Sequence, residues 1–366
     1  MVADYLTQLS LEDKKTIEDT GIKINGKERI GSFFQVDGKV EFSKTISDAI
    51  EITSIEDALE NIDCCKKYLG KAFKEFGKSF PLDTVGGYFI RVKEGNNVEL
   101  PVQSCLFLKC PGFNQRVHNV IVVEDNASLT LITGCSASEE SENSCHLGIS
   151  EFFVGKNAYL NSTMIHSWND SSVVRPMAVA IIEEGGTFIS NYVSLDKVKD
   201  ILMCPGVLLK GNSSKTIINS IVASHPNSIQ DIGGRAILKG KNSSAEISNR
   251  SISFGGKVKA RGHLKAETDD CKGHIDCKGL LLNEEGEISA LPEIESNHMN
   301  VELSHEAAIG KIKSEEIEYL QSRGVDKKDA ESMIVRGFMK LDRLGLPKEI
   351  SERIKDYEDK KIEEAF

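Results

Sequence analysis

The chain has 366 residues, of which 40% are hydrophobic, and its formal net charge at pH 7 is -11. A hydrophobic share of this size supports a sizeable buried core and excludes a disordered chain, and the length suggests one long domain or two to three smaller ones. The acidic balance argues against a nucleic-acid binder and against a protein that coats anionic membranes, because both need a surface that attracts phosphate.

The first residues, MVADYLTQLSLEDKK, carry acids where a signal peptide needs a basic and then an apolar stretch. The sequence also lacks a run of about 18 apolar residues, the length that a membrane helix requires. We therefore expect a cytoplasmic protein with no membrane segment. In that compartment the nine cysteines predict reduced thiols, or ligands for metal and sulfur, and not a disulfide framework.

Residues 1–87 show helical patterns. Ser10 and Ser54 each precede acidic residues that suit the first turn of a helix, so both are candidate N-caps. Apolar residues such as Ile55 and Leu59 then recur at helical spacing. The sequence predicts a helical N-terminal region over 1–87.

Residues 88–303 change to short β-branched runs such as VIVVED, SLTLITG and TIINSIVA, each followed by turn residues. The turn clusters recur every 27 to 31 residues, near Asp125, Lys156, Glu184, Gly211 and Gly240. A period of this length favours stacked coils, and therefore a mainly β protein with a parallel β-helix whose ends are capped by the flanking helical regions. A β-sandwich remains the alternative.

Residues 304–366 return to a helical pattern. Glu315 and Glu316 follow Ser314 at the start of one short helix, Gly324 ends it, and a second helix follows. Six apolar positions exceed what two short helices can bury between themselves: Ile317, Leu320, Val325, Ile334, Val335 and Phe338. The surplus predicts a docking surface for a partner protein, and the alternative is that the helices pack back on the β region. The charged tail after Pro347 predicts a mostly solvated helix.

Cys271, His274 and Cys277 stand close together in DDCKGHIDCKG. Thiolates and an imidazole are the soft ligands that iron, zinc or an iron-sulfur cluster selects. On a strand, residues six apart point to the same face, so both sulfurs should project together. The alternative is that at least one of them is a buried structural thiol.

Further candidates lie elsewhere in the chain. Cys135 follows Gly134 at the predicted end of a strand, an accessible position for a sulfur acceptor, and the ligand argument extends to Cys145. His305 and Glu306 lie at the predicted junction of β region and helix, where loops often present functional residues, although a glutamate there is often only an electrostatic cap.

The common catalytic signatures are absent from the sequence. Gly310-Lys311 resembles the end of a phosphate-binding loop, but Ile312 occupies the Ser/Thr position and no glycine stands five positions earlier, so we expect no ATP hydrolysis by this chain. No nucleophile elbow, HExxH or GxGxxG follows the required pattern. Acid pairs such as Asp269-Asp270 leave a polysaccharide-active β-helix enzyme as a weaker alternative.

Three stretches resemble the SufB/SufD scaffold family of iron-sulfur cluster assembly. They are VHNVIVVEDNASLTLITGCSAS with Cys145-His146 and Ser167-Trp168; the CPGVLLKG, ISNRSIS and ALPEIES segments; and SHEAAIGKI through IVRGF. The resemblance covers about residues 115–338. It implies a right-handed parallel β-helix with helical regions at both ends, and a C-terminal region that docks on a SufC-type ABC ATPase.

The resemblance also assigns roles. Cys135 resembles the cysteine that accepts sulfur in SufB, and His305-Glu306 matches the HE of the SufB motif, whereas Ser304 is typical of SufD. The candidates for holding the metal or cluster are Cys271, Cys277, Cys145, His305 and Glu306. The implied protein is a non-enzymatic homodimeric scaffold that binds a 4Fe-4S cluster transiently and passes it to apo iron-sulfur proteins. The alternative is a SufD-like structural subunit that binds the ATPase but no cluster.

Overall fold

A computed structural model describes residues 9–80 and 86–339. These residues form a parallel β-solenoid of about eight turns, with helices near both ends. The predicted β-helix is confirmed, and the β-sandwich alternative is wrong because successive turns of the chain pair in parallel, as β15 (Lys215–Ser224) does with β17 (Ser244–Ser253). The charged tail after Pro347 lies outside the described residues.

Two long sheets form the walls of the solenoid. Sheet A contains, in spatial order, β2 (Lys39–Thr45), β1 (Gly31–Val36), β5 (Val102–Leu108), β7 (Ser128–Ala137), β9 (Tyr159–Ser167), β12 (Thr187–Ser194), β15, β17, β19 (Cys271–Leu281) and β21 (Val301–Lys311). Sheet B contains, in chain order, β3 (Ile50–Ser54), β4 (Tyr88–Val92), β6 (Asn114–Val123), β8 (Cys145–Val154), β10 (Val173–Val174), β11 (Met177–Ile182), β13 (Asp200–Met203), β14 (Gly206–Leu209), β16 (Ile229–Leu238), β18 (Lys257–Ala266) and β20 (Glu287–Ser296).

The turns explain the repeat that the sequence shows. A residue with φ between 52° and 67° recurs at equivalent turns of the solenoid, at Asn126, Asn157, Gly185, Ser213, Asn242 and Asp270. Glycine, asparagine and aspartate tolerate this left-handed conformation better than other residues. The clusters of turn residues in the sequence therefore correspond to turns between strands of the solenoid.

In-register pairing stacks similar side chains into columns. Ile218 lies beside Ile247, Ile247 beside Ile275, and Ile275 beside His305 on the last strand of sheet A. The three isoleucines belong to the main core cluster between the sheets. Two smaller clusters lie on the outer faces, one where sheet A meets the terminal helices and one under the helices on sheet B.

The N-terminal region is only partly helical, so its prediction needs a correction. Ser10 caps helix α1 (Leu11–Asp19) and Ser54 caps α2 (Ile55–Asn61), each through its hydroxyl at 3.0 Å, as the sequence predicts. Two short helices follow, α3 (Cys65–Tyr68) and α4 (Lys71–Phe76). Residues 31–54, however, form three strands, because β1 pairs in parallel with β5 and β3 pairs with β4, which extends both sheets.

The C-terminal boundary also shifts. Strand β21 crosses the predicted boundary at 303/304, because its residues pair in register with β19. Two helices follow, α5 (Ser314–Ser322) and α6 (Lys327–Met339). Val335 of α6 is fully buried in the outer cluster of sheet A, so this helix packs back on the β-solenoid.

Candidate functional site

The solenoid ends at an open edge. Two of the five predicted ligands, His305 and Glu306, lie on its last strand, and Cys271 and Cys277 lie one strand further in. Among the described residues, β21 pairs only with β19, and β20 pairs only with β18. Both strands are largely exposed, and they present Leu291, Ile294 and Ile309 with 37% to 43% of their surface accessible. An exposed edge of this kind offers unpaired backbone groups to another chain.

Cys277 and His305 share the core-facing side of this open end. Cys277 is 1% exposed, and its Sγ accepts a hydrogen bond from Asn249 Nδ2 at 3.3 Å. Its neighbour on β21 is the small residue Ala307, and His305 lies two positions before Ala307 on the same face. Burial raises the pKa of the Cys277 thiol, and the Asn249 hydrogen bond partly offsets this. Bound metal would have to supply the charge that stabilises its thiolate.

Glu306 lies on the opposite, solvent-facing side of β21. Its in-register neighbour is Asp276, whose carboxylate pairs with Arg250 at 2.6 Å. Lys278 lies 3.9 Å from Glu306 and 3.5 Å from Asp276. His305 and Glu306 therefore stand in mid-strand on opposite faces, and the prediction that they form a junction between strand and helix is wrong.

His274 also lies on this outer face, where its Nδ1 is 2.9 Å from Ser304 Oγ. The imidazole between the two cysteines in the sequence therefore points away from both thiols. Alternation along the strand separates it from them, so it does not complete a ligand set with Cys271 and Cys277.

Cys271 and Cys277 do face the same side of β19, as the strand geometry predicts, but that side is the core. Cys271 is 1% exposed and lies 3.4 Å from Ser243 Oγ. Six residues of strand separate the two sulfurs by about 20 Å, which is too far for one cluster within a single chain. Cys145, at the start of β8, lies about four rungs from β19 and is similarly distant.

Cys135 is fully buried in β7, so the prediction of an accessible thiol is wrong. It faces the core, where burial raises the pKa of its thiol strongly. Its in-register neighbour is His166, whose Nδ1 is 2.9 Å from the Tyr192 hydroxyl.

An interior group of rings near Cys135 was not anticipated from the sequence. The ring centroids of His166, His146 and Trp168 lie 5.2 to 6.4 Å apart. His146 Nδ1 is 2.8 Å from Gln115 Oε1, and burial lowers the pKa of His146 to about 4. His166 Nε2 and Trp168 Nε1 have no hydrogen-bond partner in the described part of the chain. One feature of the sequence could have indicated this group. Cys145 and His146 are adjacent on a strand, so one of the two side chains must face the core and the other must face outward.

Cys145 is half-buried and lies on the outer face of sheet B, opposite His146. Burial raises the pKa of its thiol, and the nearby guanidinium groups of Arg175 and Arg116 partly lower it. This thiol is therefore separate from the interior group around Cys135.

The six apolar positions that were predicted to dock a partner divide in two. Val335 is buried, and Phe338 packs against the same outer cluster of sheet A. The other four are half-buried: Ile317, Leu320, Val325 and Ile334. Tyr319 and Met333 are 59% and 49% exposed and were not in the predicted set. Helices α5 and α6 therefore serve partly as packing elements and still present apolar side chains to solvent.

Residues 9–80 and 86–339 contain neither a preformed metal site nor a membrane-spanning helix. No three His, Cys, Asp or Glu side chains lie close enough together to hold one metal ion. No helix in this part of the chain has the length and apolar character needed to cross a membrane.

The fold and site define a parallel β-solenoid with interior thiols and an open, unpaired end. Comparison with known proteins then specifies the family. A family model described as "SUF system FeS cluster assembly, SufBD core domain" matches residues 108–338. The chain therefore belongs to the SufBD family of iron-sulfur cluster assembly proteins, which confirms the resemblance found in the sequence.

Curated relatives agree. An iron-sulfur cluster assembly SufBD family protein of Archaeoglobus fulgidus is 44% identical over 347 residues, which cover 94% of this chain and 93% of the relative. A protein of the same description from Methanothermobacter thermautotrophicus is 36% identical, over 94% of this chain and 86% of the relative. The iron-sulfur cluster assembly protein SufB of Bacillus subtilis is 29% identical, over 92% of this chain and 75% of the relative.

Proposed function

We propose that this chain is a non-enzymatic scaffold on which iron-sulfur clusters are built, that it works as a homodimer, and that a SufC-type ABC ATPase drives it. The cargo is an iron-sulfur cluster of the 4Fe-4S type, bound transiently in the cytoplasm and passed to apo iron-sulfur proteins. The observation that carries the proposal is the position of Cys277 and His305 at the open end of the solenoid.

The homodimer is supported by the two exposed edge strands. Pairing between β21 of two chains would satisfy backbone groups that this edge leaves open and would cover Ile309. A two-fold axis repeats the same contact on both chains, so the seam would place the two copies of His305 on adjacent strands, with each Cys277 one strand further from the seam. The seam can therefore combine ligands from two chains, which a single chain does not bring together.

Within the dimer we assign Cys277 and His305 as ligands from the core-facing side. Glu306, on the other face of the same edge strand, would bind metal that arrives at the seam. Cys271 and Cys145 lie too far from Cys277 in one chain to share its cluster, so any role they have in holding metal or sulfur is separate. Cys135 is the proposed sulfur acceptor, and it must become accessible for that role because it is fully buried.

The ATPase partner is proposed to dock on helices α5 and α6. Tyr319 and Met333 are exposed there, beside the half-buried Ile317, Leu320 and Ile334. Exposed aromatic and methionine side chains are common in protein interfaces. A movement of these helices would act on the outer face of sheet A, where Val335 is anchored.

A SufD-like structural subunit is the second candidate, and a specific observation favours it. Ser304 precedes His305, as in SufD, and the thiol pKa values of Cys135 and Cys277 are both raised. Such a subunit would bind the ATPase but hold no cluster.

Anaerobic reconstitution with iron and sulfide, together with the ATPase, distinguishes the two candidates. The scaffold gives iron-sulfur charge-transfer absorption in a complex that also contains the ATPase. The structural subunit gives the same complex without the absorption.

A further inference from the structure

A long groove runs between helix α1 and the ends of the strands of sheet A. Its volume is about 870 Å³. Residues that follow β7, β9, β12, β15, β17 and β19 form one side. Adjacent rungs are about 4.8 Å apart, so six rungs span about 24 Å, which is the length of an extended segment of about seven residues.

One end of the groove is acidic. Five carboxylates line it, from Glu12, Asp19, Glu139, Asp170 and Asp196. Asp196 is half-buried and accepts a hydrogen bond from the Ser167 hydroxyl at 2.7 Å, and the other four are exposed. Lys15 and Lys197 offset the negative charge only in part.

The other end is apolar and flat. Phe254 and Leu282 are half-buried there and belong to the margin of the outer cluster of sheet A. The ring of His225 stacks on Phe254 with a centroid distance of 5.3 Å and an interplanar angle of 11°. Flat aromatic surface of this kind suits aliphatic or aromatic side chains.

We propose that this groove binds an extended segment of a partner protein, about seven residues long, with cationic side chains at one end and apolar side chains at the other. The length follows from the six rungs. The polarity follows from the acidic end and the apolar end, because complementary charge fixes the direction in which the segment lies. The net negative charge opposes phosphate-bearing ligands, so a nucleic acid or a nucleotide does not fit this groove.

The groove also lies close to the proposed sulfur acceptor. Ala137 lines its acidic end and is two residues beyond Cys135 on β7, about 7 Å along the strand. Trp168 lines the same end, and its ring contacts His166, the in-register neighbour of Cys135. A partner bound here would therefore lie beside Cys135. That consequence rests on the proposed function, whereas the binding of the segment does not.

Trp168 is the single tryptophan of the chain, so its fluorescence reports on the acidic end directly. The probe is an amidated heptapeptide of three lysines, one serine and three leucines, and its counterpart has glutamates in place of the lysines. We expect the lysine peptide to change Trp168 emission with a saturable isotherm, and the glutamate peptide to bind at least about tenfold more weakly.

The double substitution Glu139→Gln with Asp170→Asn removes two exposed carboxylates from the groove. It should lower the affinity for the lysine peptide about fivefold or more. Its control is Glu60→Gln with Asp63→Asn, which removes two exposed carboxylates on and just after α2, at the opposite sheet. The control should bind as the wild type does.

Three results would overturn the proposal: no saturable binding, equal affinity for both peptides, or equal weakening by the groove and control substitutions. The last result would mean that the peptide binds through the overall negative charge of the protein and not at the groove. Cluster reconstitution is measured separately, so a protein that assembles a cluster but ignores the peptide disproves the groove site alone.

Discussion

Ile275 and His305 are in-register neighbours on β19 and β21, so a column of core isoleucines ends in an imidazole. Within the described residues no further strand covers this imidazole. The last position of the column is therefore polar, and it lies where a second molecule can reach it.

We expect His305→Gln to lower cluster occupancy about tenfold, because the amide keeps the approximate size of the side chain but is a poor ligand for iron. Iron and acid-labile sulfide per chain are the measured quantities. His298→Gln, in the loop before β21, is the matched control and should retain the cluster. Normal occupancy in His305→Gln would remove His305 from the ligand set.

The edge strands give a prediction on assembly. Ile309→Lys places a charge on the exposed edge of β21 and should shift the dimer to monomer, because lysine on an edge strand opposes strand pairing. Light scattering coupled to size-exclusion chromatography measures the mass. Met299→Lys, in a fully exposed position of the loop between β20 and β21, is the control and should stay dimeric. A dimer that survives Ile309→Lys would place the interface elsewhere.

Glu151 gives a prediction on stability. Its carboxylate is fully buried, accepts hydrogen bonds from the backbone amides of Gly70 and Ala72 at 2.5 and 2.7 Å, and lies 2.8 Å from His118 Nε2. Glu151→Ala should cost about 3 to 5 kcal/mol, because it leaves these buried partners unsatisfied.

Urea unfolding measures the free energy, and hydrogen exchange at Gly70 and Ala72 locates the loss. Glu183→Ala, at a half-buried site just after β11 where the carboxylate pairs with Lys210, is the control and should change the stability by less than about 1 kcal/mol. A large loss of stability without faster exchange at these amides would contradict the local role of Glu151.

Burial of His146 predicts a dependence of stability on pH. The pKa of His146 is about 4 in the folded protein, whereas an unfolded histidine has a pKa near 6.5. Below pH 6.5 the unfolded chain gains a proton that the folded chain does not bind, so stability falls as the pH falls from about 6.5 to 4. The loss amounts to about 3 kcal/mol for this residue.

Buried His166, whose pKa is also lowered, contributes in the same direction. Urea unfolding at pH 7 and pH 5 should show a smaller difference for His146→Gln than for the wild type. An equal difference in the two proteins would contradict the assignment to His146.

Much of the fold could be predicted from the sequence. The turn residues Asn126, Asn157 and Asn242 separate strands at a spacing that favours stacked coils over a sandwich, and Ser10 and Ser54 cap the helices that they were predicted to cap. Strands β1 and β2 form a hairpin whose local signal, the Asp37-Gly38 turn, was overlooked in the prediction of a helical region. The pairings of β1 with β5 and of β3 with β4 join residues that lie far apart along the chain, and local patterns do not reveal such partners.

The candidate site was harder to predict. The sequence identifies Cys271 and Cys277 as residues of one face but cannot say that this face is the core. It places His305 at the end of the β region but does not show that His305 is the last side chain of a column of core isoleucines. Which face a strand buries depends on the neighbouring turns, and the burial of Cys135 depends on the whole stack of rungs.

The role of Cys277 as a cluster ligand is tested by the iron and sulfide content of the anaerobically reconstituted dimer in two variants, Cys277→Ser and Cys271→Ser. Both thiols are buried on the same face of β19, so both substitutions cost similar folding energy. We expect about one cluster per dimer in the wild type and in Cys271→Ser, and none in folded Cys277→Ser. Full occupancy in Cys277→Ser, or no cluster in the wild type, would contradict it.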